Sequence, residues 1–240
     1  MSLTSAAQAQ PSVALDRLLQ AVTSLGLPMS EPEARRLLDY LALLERWNKV
    51  YNLTALREPE QMFSHHLLDC LSTLPALDRG LRYGPTAPIR VLDVGSGGGL
   101  PGVVLAILRP HWEVHCVDAV AKKAGFIRQV ALELQLSNLR AMHARVETLE
   151  PRGRAQVDGR GPGYQLVTSR AFASLSDFVH LTRAMLAVDG VWAAMKATLT
   201  PKELAEVPPT VDVFHVEQLQ VPGLDAQRCL VWMRPRAPAA

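Results

Sequence analysis

A cluster of glycines at residues 95–102 is the part of the sequence best suited to bind a small molecule. Four glycines fall among the five residues 95–99, directly after the apolar run 89–94. Such a run predicts a buried strand, and Pro101 suits the first position of a following helix. A strand, a glycine turn and a helix in this order let the backbone approach a bound cofactor closely. The turn therefore predicts a cofactor site.

Two carboxylates accompany this turn. Asp93 ends a strand that should be buried, so it needs N–H or hydroxyl partners from the turn or from a ligand. Asp118 ends the next predicted strand, where a carboxylate can bind the ribose hydroxyls of either a dinucleotide or S-adenosylmethionine. The dinucleotide pattern Gly97-x-Gly99-x-x-Gly102 begins two residues after the turn itself and is weak alone. Because Asp93 suits the ammonium group of S-adenosylmethionine, the sequence favours that cofactor.

Composition sets limits on the class of protein. The 240 residues are 48% hydrophobic and 20% charged, which suits one globular domain with a modest extra segment. No apolar run approaches the roughly 18 residues of a membrane span, and the first residues lack the features of a secretory signal. The three dispersed cysteines predict a reducing, cytoplasmic setting without a metal site. A net charge of +2 is too weak for a dedicated nucleic-acid binder.

Two kinds of pattern follow one another along the chain. Residues 12–80 have helical spacing: a capping box begins at Ser30, a stripe including Leu37, Leu44 and Trp47 predicts a buried face, and a later helical stretch ends near Pro75. Further on, strands and helices alternate, which predicts an α/β fold with a parallel sheet. The predicted strands are 89–94, 113–118, 139–144, 164–169, 189–196, 211–220 and 228–234. The predicted helices are 101–109, 121–136, 174–187 and 201–206.

These patterns divide the chain into three parts. We expect a disordered N-terminus over 1–11, a helical segment over 12–85 packed on the core, and a main domain over 86–240. The last two strands have no clear helix between them, so they predict an antiparallel hairpin at one edge of the sheet. Residues 151–163 are rich in Gly, Pro and Arg and predict a mobile, exposed loop.

Four short blocks carry a resemblance to a known family: WNKVYNLT at 47–54, HLLD at 66–69, GLPG at 99–102 and SRAFASL at 169–175. Over residues 30–234 the chain resembles the RsmG (GidB) family of bacterial 16S rRNA guanine-N7 methyltransferases. The resemblance implies a class I, Rossmann-like methyltransferase fold with a seven-stranded doubly wound sheet. It also implies methyl transfer from S-adenosylmethionine to a guanosine in the decoding-site loop of the small-subunit rRNA.

The resemblance also implies cofactor contacts at matching positions. Asp118, Ala119 and Val120 would surround the ribose and adenine, Val146 and Glu147 would contact the adenine, and Arg170 corresponds to a cofactor-site arginine. All lie at carboxyl ends of predicted strands, where open α/β sheets bind ligands. Together with the residues of the turn, the predicted cofactor-binding set is Asp93, Gly95, Gly97, Leu100, Asp118, Ala119, Val120, Val146, Glu147 and Arg170.

Arg170 is the candidate for positioning the reactants. It can donate to guanine O6, hold the cofactor carboxylate, bind an RNA phosphate or form a structural salt bridge, and the sequence leaves these roles open. The cations and histidines near the same edge are candidates for RNA contact, with a solvated helix face or a packed histidine as the alternative. The predicted RNA-binding residues are His65, His66, Lys122, Lys123, Arg128 and Lys196. Ala197 stands where the family usually has glycine.

The expected chemistry needs no general base, because guanine N7 carries a free lone pair in the plane of the ring. Catalysis then rests on proximity and alignment. We expect a monomer acting on 16S rRNA within the small ribosomal subunit, with no membrane, DNA or metal involved. Two other functions stay open: a small-molecule methyltransferase on the same fold, and a non-catalytic ribosome-associated module. A nicotinamide oxidoreductase ranks last.

Overall fold

A computed structural model describes residues 9–83, 86–149, 163–170, 172 and 174–236. These residues form one seven-stranded sheet. Its strands are β1 (Arg90–Val94), β2 (Glu113–Asp118), β3 (Leu139–His143), β4 (Tyr164–Ser169), β5 (Leu186–Lys196), β6 (Val211–Leu219) and β7 (Arg228–Pro235). The order is β3-β2-β1-β4-β5-β7-β6, with β1 to β5 parallel and β7 antiparallel to both its neighbours. The predicted doubly wound sheet with an antiparallel edge hairpin is confirmed.

Helices precede the sheet and connect its strands. The first group is α1 (Ala9–Ser24), α2 (Glu31–Tyr51), α3 (Pro59–Met62), a π-helical turn (Phe63–Leu68), α4 (Asp69–Leu71) and α5 (Leu74–Gly80). The connecting group is α6 (Gly102–Leu108), α7 (Ala121–Glu133), α8 (Leu175–Thr182) and α9 (Pro201–Ala205), with short 3₁₀ turns at Val146–Thr148 and Arg183–Met185.

The N-terminal helical segment differs from the prediction at its ends. Helix α1 already begins at Ala9, before the predicted boundary at residue 12, and residues 1–8 lie outside the described part of the chain. Pro75 does not end a helix but lies in the first turn of α5, which begins at Leu74, because proline in the first turn needs no N–H partner. The Ser30 capping box is confirmed, with Glu33 N–H donating to Ser30 Oγ.

The largest difference in the main domain lies before β5. The predicted helix over 174–187 ends at Thr182, and β5 begins at Leu186 instead of residue 189. Tyr164 pairs with Leu186 whereas Leu166 pairs with Val191, so extra residues of β5 bulge out and leave Val188 94% exposed. The apolar residues 186–188 fit a helical pattern equally well, and only pairing with β4 makes them a strand. Of the predicted loop 151–163, only Gly163 is among the described residues.

Apolar side chains cover both faces of the sheet. On one face Leu37 and Leu44 of α2 join Val91 and Val114 in a single buried cluster that includes the N-terminal helices. The opposite face forms a second cluster, centred on Trp192. The N-terminal segment therefore packs directly on the sheet and lies beside the carboxyl ends of β1 and β4. Among the described helices, none has the length and apolar character that crossing a bilayer requires.

Candidate active site

The glycine turn after β1 combines open space with close packing. Gly95, Gly97 and Gly99 have positive φ values of 67°, 58° and 90°, which side-chain-bearing residues rarely adopt. A β-carbon added to Gly95 would meet nothing within 4 Å, so the turn leaves room for a ligand there. A β-carbon at Gly102 would lie 2.3 Å from Cys116 Sγ, which shows that helix α6 begins against β2 with no space for a side chain.

Asp93 holds this turn from the interior of the protein. Its side chain is fully buried, and Oδ2 accepts a hydrogen bond of 2.9 Å from the Gly102 N–H. Oδ1 has no hydrogen-bond partner among the described residues. Burial raises the pKa of Asp93 to about 7, although the Gly102 N–H and the charge of Arg170 act to lower it. The carboxyl therefore holds the start of α6 and retains one free acceptor.

Asp118 joins the turn to the next strand. Its Oδ2 accepts from the Gly97 N–H at 2.9 Å, and its Oδ1 accepts from the Val120 N–H at 2.8 Å. A carboxylate accepts up to about four hydrogen bonds, so Asp118 keeps capacity for hydroxyl donors of a ligand. Its position is fixed by backbone groups on both sides, which preorganises the carboxylate.

A cavity of about 250 Å³ lies beside Asp118, and we call it the turn cavity. Apolar side chains that the sequence did not indicate, Phe172 and Leu181, form part of its wall. It brings together five of the predicted cofactor residues: Gly95, Asp118, Ala119, Val146 and Glu147.

The other predicted cofactor residues lie elsewhere around the turn. Leu100 is 2% exposed and packs in the core, and Asp93 is buried beneath the backbone. Gly97 and Val120 provide the N–H groups that fix Asp118 and do not line the turn cavity.

A second cavity of about 250 Å³ lies across the end of β4, and we call it the Arg170 cavity. It brings together four of the predicted residues, His65, His66, Arg170 and Lys196. Arg170 lines this cavity and Phe172 lines the turn cavity, so two residues close in sequence belong to different cavities.

Arg170 is held against the N-terminal helical segment. Its Nη1 donates to the backbone carbonyl of His65 at 3.0 Å and to His66 Nδ1 at 3.1 Å. Because a guanidinium can only donate, Nδ1 accepts, and His66 Nε2 carries the hydrogen and donates to Thr54 Oγ1 at 2.8 Å. Burial, with the nearby charge of Arg170, lowers the pKa of His66 to about 4. The histidine is therefore neutral and both its nitrogens are engaged.

Asp69 lies between two arginines at this cavity. Its Oδ1 accepts from Arg228 Nε at 2.9 Å, and its Oδ2 forms an ion pair with Arg170 Nη1 at 3.7 Å. Burial raises the pKa of Asp69, and both guanidinium groups act to lower it. Lys196 is also paired, with Glu203 at 2.7 Å. The cavity wall thus carries three cations, Arg170, Lys196 and Arg228, and one carboxylate, Asp69.

The remaining predicted RNA-binding residues do not join this cluster. Lys122, Lys123 and Arg128 belong to α7 and line neither cavity. Lys122 and Arg128 are exposed, and Arg128 Nε donates to the Ala141 carbonyl at 3.4 Å. Across the described residues, no group of three or more His, Cys, Asp or Glu side chains has the arrangement of a metal site.

Asp69 and Arg228 are site residues that the sequence analysis did not single out. One helical turn separates His66 from Asp69, a spacing that places both side chains on the same side of a helix and is a usable signal. Arg228 carries no such signal. Its contact with Asp69 joins residues 159 positions apart, and only the folded sheet brings β7 to the N-terminal helices.

Known proteins resemble this chain in sequence and in fold. The family model described as rRNA small subunit methyltransferase G matches residues 33–231. Two relatives named Ribosomal RNA small subunit methyltransferase G are similar over most of the chain. That of Leptothrix cholodnii is 55% identical over 94% of this chain and 97% of its own. That of Paracidovorax citrulli is 54% identical over 89% of this chain and 86% of its own.

A solved structure supports the fold assignment. A SAM-dependent methyltransferase from Aquifex aeolicus superposes with a TM-score of 0.51 at 15% identity, covering 76% of this chain and 96% of that one. At that identity the likeness concerns the fold alone. The family match covers most of the sheet, both cavities and the helices that pack on them, so this chain belongs to the rRNA small subunit methyltransferase G (GidB) family.

Proposed function

We propose that this chain transfers a methyl group from S-adenosylmethionine to N7 of a guanosine in the decoding-site loop of bacterial 16S rRNA. Membership in the family makes the chain an S-adenosylmethionine-dependent methyltransferase of small-subunit rRNA. The choice of guanine N7 and of the loop rests on the resemblance of the four sequence blocks. The observation that supports it best is the pair of cavities, one lined by Asp118 and Phe172 and the other by Arg170 and Asp69.

The turn cavity fits S-adenosylmethionine. Asp118 retains acceptors for the ribose hydroxyls, Phe172 and Val146 offer an apolar surface to the adenine, and the space at Gly95 admits the rest of the molecule. Asp93 Oδ1 is a free, buried acceptor directly beneath the turn. When bound, this cofactor supplies an electrophilic methyl group whose bond to sulfur breaks as a bond to N7 forms, leaving a neutral thioether.

The residues around the Arg170 cavity suit a reaction that needs no proton transfer. N7 attacks with its own lone pair and the positive charge moves onto the guanine ring, so no base is required. His66 is neutral and engaged at both nitrogens, which makes it a support for Arg170 instead of a base. Catalysis then depends on how firmly the base is held in line with the methyl group.

The substrate is proposed to be the assembled small subunit, and the enzyme a monomer. With a net charge of only +2, attraction to phosphate alone supplies little affinity. Recognition of substrate shape then carries more of the binding.

The test incubates the protein with radiolabelled S-adenosylmethionine and either naked 16S rRNA or small subunits. Label at one guanine N7, located by strand cleavage specific for the methylated cation, is expected, with more label on subunits. Binding to subunits without label would favour a non-catalytic module. Label confined to small molecules would favour the small-molecule methyltransferase.

Cofactor titration with matched variants tests the turn cavity separately. Asp118→Asn removes an ionised acceptor and should weaken S-adenosylmethionine binding about tenfold or more. Asp212→Asn changes a carboxylate that pairs with Arg234, outside both cavities, and should leave the affinity unchanged. Equal weakening by both variants would remove Asp118 from the cofactor site.

A further inference from the structure

Asp69 is an unexpected residue in a cavity that would receive RNA, because phosphate groups repel a carboxylate. Its side chain is only 6% exposed, yet it forms part of the cavity wall. Arg228 Nε occupies Oδ1, whereas Oδ2 lies 3.7 Å from Arg170 Nη1, farther than a hydrogen bond reaches. The carboxylate is thus held in place and still has acceptor capacity toward the cavity.

The chemistry that an ionised carboxylate recognises on a nucleobase is a pair of adjacent N–H donors. Guanine presents such a pair at N1–H and N2–H₂. Adenine presents an unprotonated N1 at the same place, which a carboxylate repels. Arg170 Nη1 uses both its hydrogens on His65 and His66, so Nε and Nη2 are the donors left beside Asp69, and guanine carries O6 next to N1–H.

We propose that Asp69 accepts hydrogen bonds from N1–H and N2–H₂ of the target guanine, with Arg170 donating to O6. This inference rests on the proposed function and specifies how that site selects its base. Asp69 is the specificity-determining residue, and Arg228 is a positioning residue that acts by holding Oδ1.

The order of groups along the purine agrees with the order of groups in the protein. Along one edge, guanine presents N7, then O6, then N1–H and N2–H₂. In the protein, Asp93 of β1 pairs with Thr168 of β4, which brings Arg170 to the same sheet edge as the glycine turn, and Arg170 in turn forms an ion pair with Asp69. In the proposed mode, a guanine bound to Arg170 through O6 and to Asp69 through N1–H has N7 on the Arg170 side, nearer the glycine turn.

The same arrangement favours the reaction itself. As N7 gains its methyl group, the ring becomes cationic and its N1–H becomes a stronger donor. The hydrogen bond to Asp69 then strengthens as the reaction proceeds, while the proton stays on N1. Interactions that strengthen toward the transition state raise the rate and not only the affinity.

Inosine, which lacks the 2-amino group, tests the proposal without any change to the protein. We would transcribe 16S rRNA with a small fraction of inosine in place of guanosine, and assemble part of it into subunits. After methylation, the ratio of 7-methylguanosine to 7-methylinosine at the target, corrected for base content, gives relative kcat/KM. The wild-type enzyme should favour guanosine about tenfold to a hundredfold.

Two variants and a control assign the preference to named residues. Asp69→Asn places an amide N–H₂ against the guanine donors, so the preference should fall to about threefold or less. Arg228→Lys should lower it by a smaller factor, because the ammonium holds Oδ1 less rigidly. The control Asp78→Asn alters a carboxylate that pairs with Arg109, outside both cavities, and should keep the wild-type preference.

The outcomes separate this proposal from the proposed function. Equal methylation of inosine and guanosine by the wild-type enzyme would overturn the role of Asp69, even if Asp69→Asn did not fold. So would an Asp69→Asn enzyme that is slower on both bases but keeps the wild-type ratio. If the wild-type enzyme binds S-adenosylmethionine but labels no purine of the rRNA, the proposed function itself has failed.

Discussion

Asp93 and His66 are buried ionisable residues whose pKa values move in opposite directions. Burial raises the pKa of Asp93 to about 7, so between pH 4 and 7 the folded protein keeps a proton that the unfolded chain has released. Burial lowers the pKa of His66 to about 4, so between pH 4 and 6.5 the unfolded chain binds a proton that the folded protein excludes. The two residues therefore give opposite contributions to the pH dependence of stability.

These opposite contributions predict how substitution of each residue changes the pH dependence of stability. The Asp93 contribution makes the free energy of unfolding fall as the pH rises. The His66 contribution makes the free energy of unfolding rise over the same range. Asp93→Asn should therefore give a steeper increase in unfolding free energy from pH 4.5 to 7 than the parent shows. His66→Gln should give a shallower increase or a decrease. Urea unfolding at several pH values measures both slopes, and slopes that change in the same direction would contradict the assignment.

Where a local pattern exists, the sequence predicted which residues lie together at the edge of the sheet. Gly95 and Asp118 end consecutive parallel strands, and such ends necessarily meet at one edge of the sheet. Asp69 shares a helical spacing with His66, but its contact with Arg228 follows no local pattern, since it depends on how β7 pairs with β5 and where the N-terminal helices pack. Polar contacts between distant elements have no signature in one sequence.

Helix α2 and helix α6 hold the glycine turn from two sides. Tyr40 Oη of α2 donates to the Gly98 carbonyl at 2.7 Å, and Leu44 lies next to the same glycine. Helix α6 is fixed through the Gly102 N–H to Asp93. The N-terminal segment therefore helps to determine the shape of the glycine turn, where the cofactor is proposed to bind.

Substitution of Gly102 tests this packing. In Gly102→Ala the new β-carbon would lie 2.3 Å from Cys116 Sγ and 2.9 Å from Asp93 Oδ2, so α6 must move. We expect a loss of about 3 kcal/mol in unfolding free energy, together with weaker cofactor binding. Gly125→Ala in α7 is the matched control: its β-carbon meets nothing within 4 Å, and it should stabilise the protein by about 0.5–1 kcal/mol. Similar effects of both changes on denaturant midpoints would contradict the packing argument.

Elements with strong local signals were predicted well. The capping box of α2, the alternation from β1 onward and the final hairpin all appear as expected. The predicted boundary between α8 and β5 was wrong, because residues 186–188 are apolar and by themselves have no strong preference for helix or strand. Their strand structure comes from pairing with Tyr164 across an irregular register.

At the scale of the whole molecule, the net charge is small, and the cations near the sheet edge differ in whether they pair with carboxylates. Of the cations near the sheet edge, Arg170, Lys196 and Arg228 already pair with carboxylates, whereas Lys122 and Arg128 on α7 are exposed. The paired cations surround the Arg170 cavity, where base recognition is proposed. The exposed ones are therefore better suited to contact phosphates at the margin of a bound RNA.

Salt dependence of RNA binding tests this division. With a net charge of only +2, the slope of log K against log salt should be shallow, about −2 to −4. Lys122→Gln should make the slope less negative by about 0.7, the effect of one phosphate contact. Lys49→Gln is the control, because Lys49 already pairs with Glu45 at 2.7 Å, and should change the slope less. A steep slope that Lys122→Gln does not alter would place the phosphate contacts elsewhere.

The contact between Asp69 and Arg228 joins two residues that the ribosome adds far apart in time, because 159 positions separate them. Every residue that lines the turn cavity has been added to the chain once Leu181 is in place. The Arg170 cavity has to wait for Arg228, at the start of the last strand. A nascent chain therefore contains these turn-cavity residues before β7, and with it Arg228, has been synthesised.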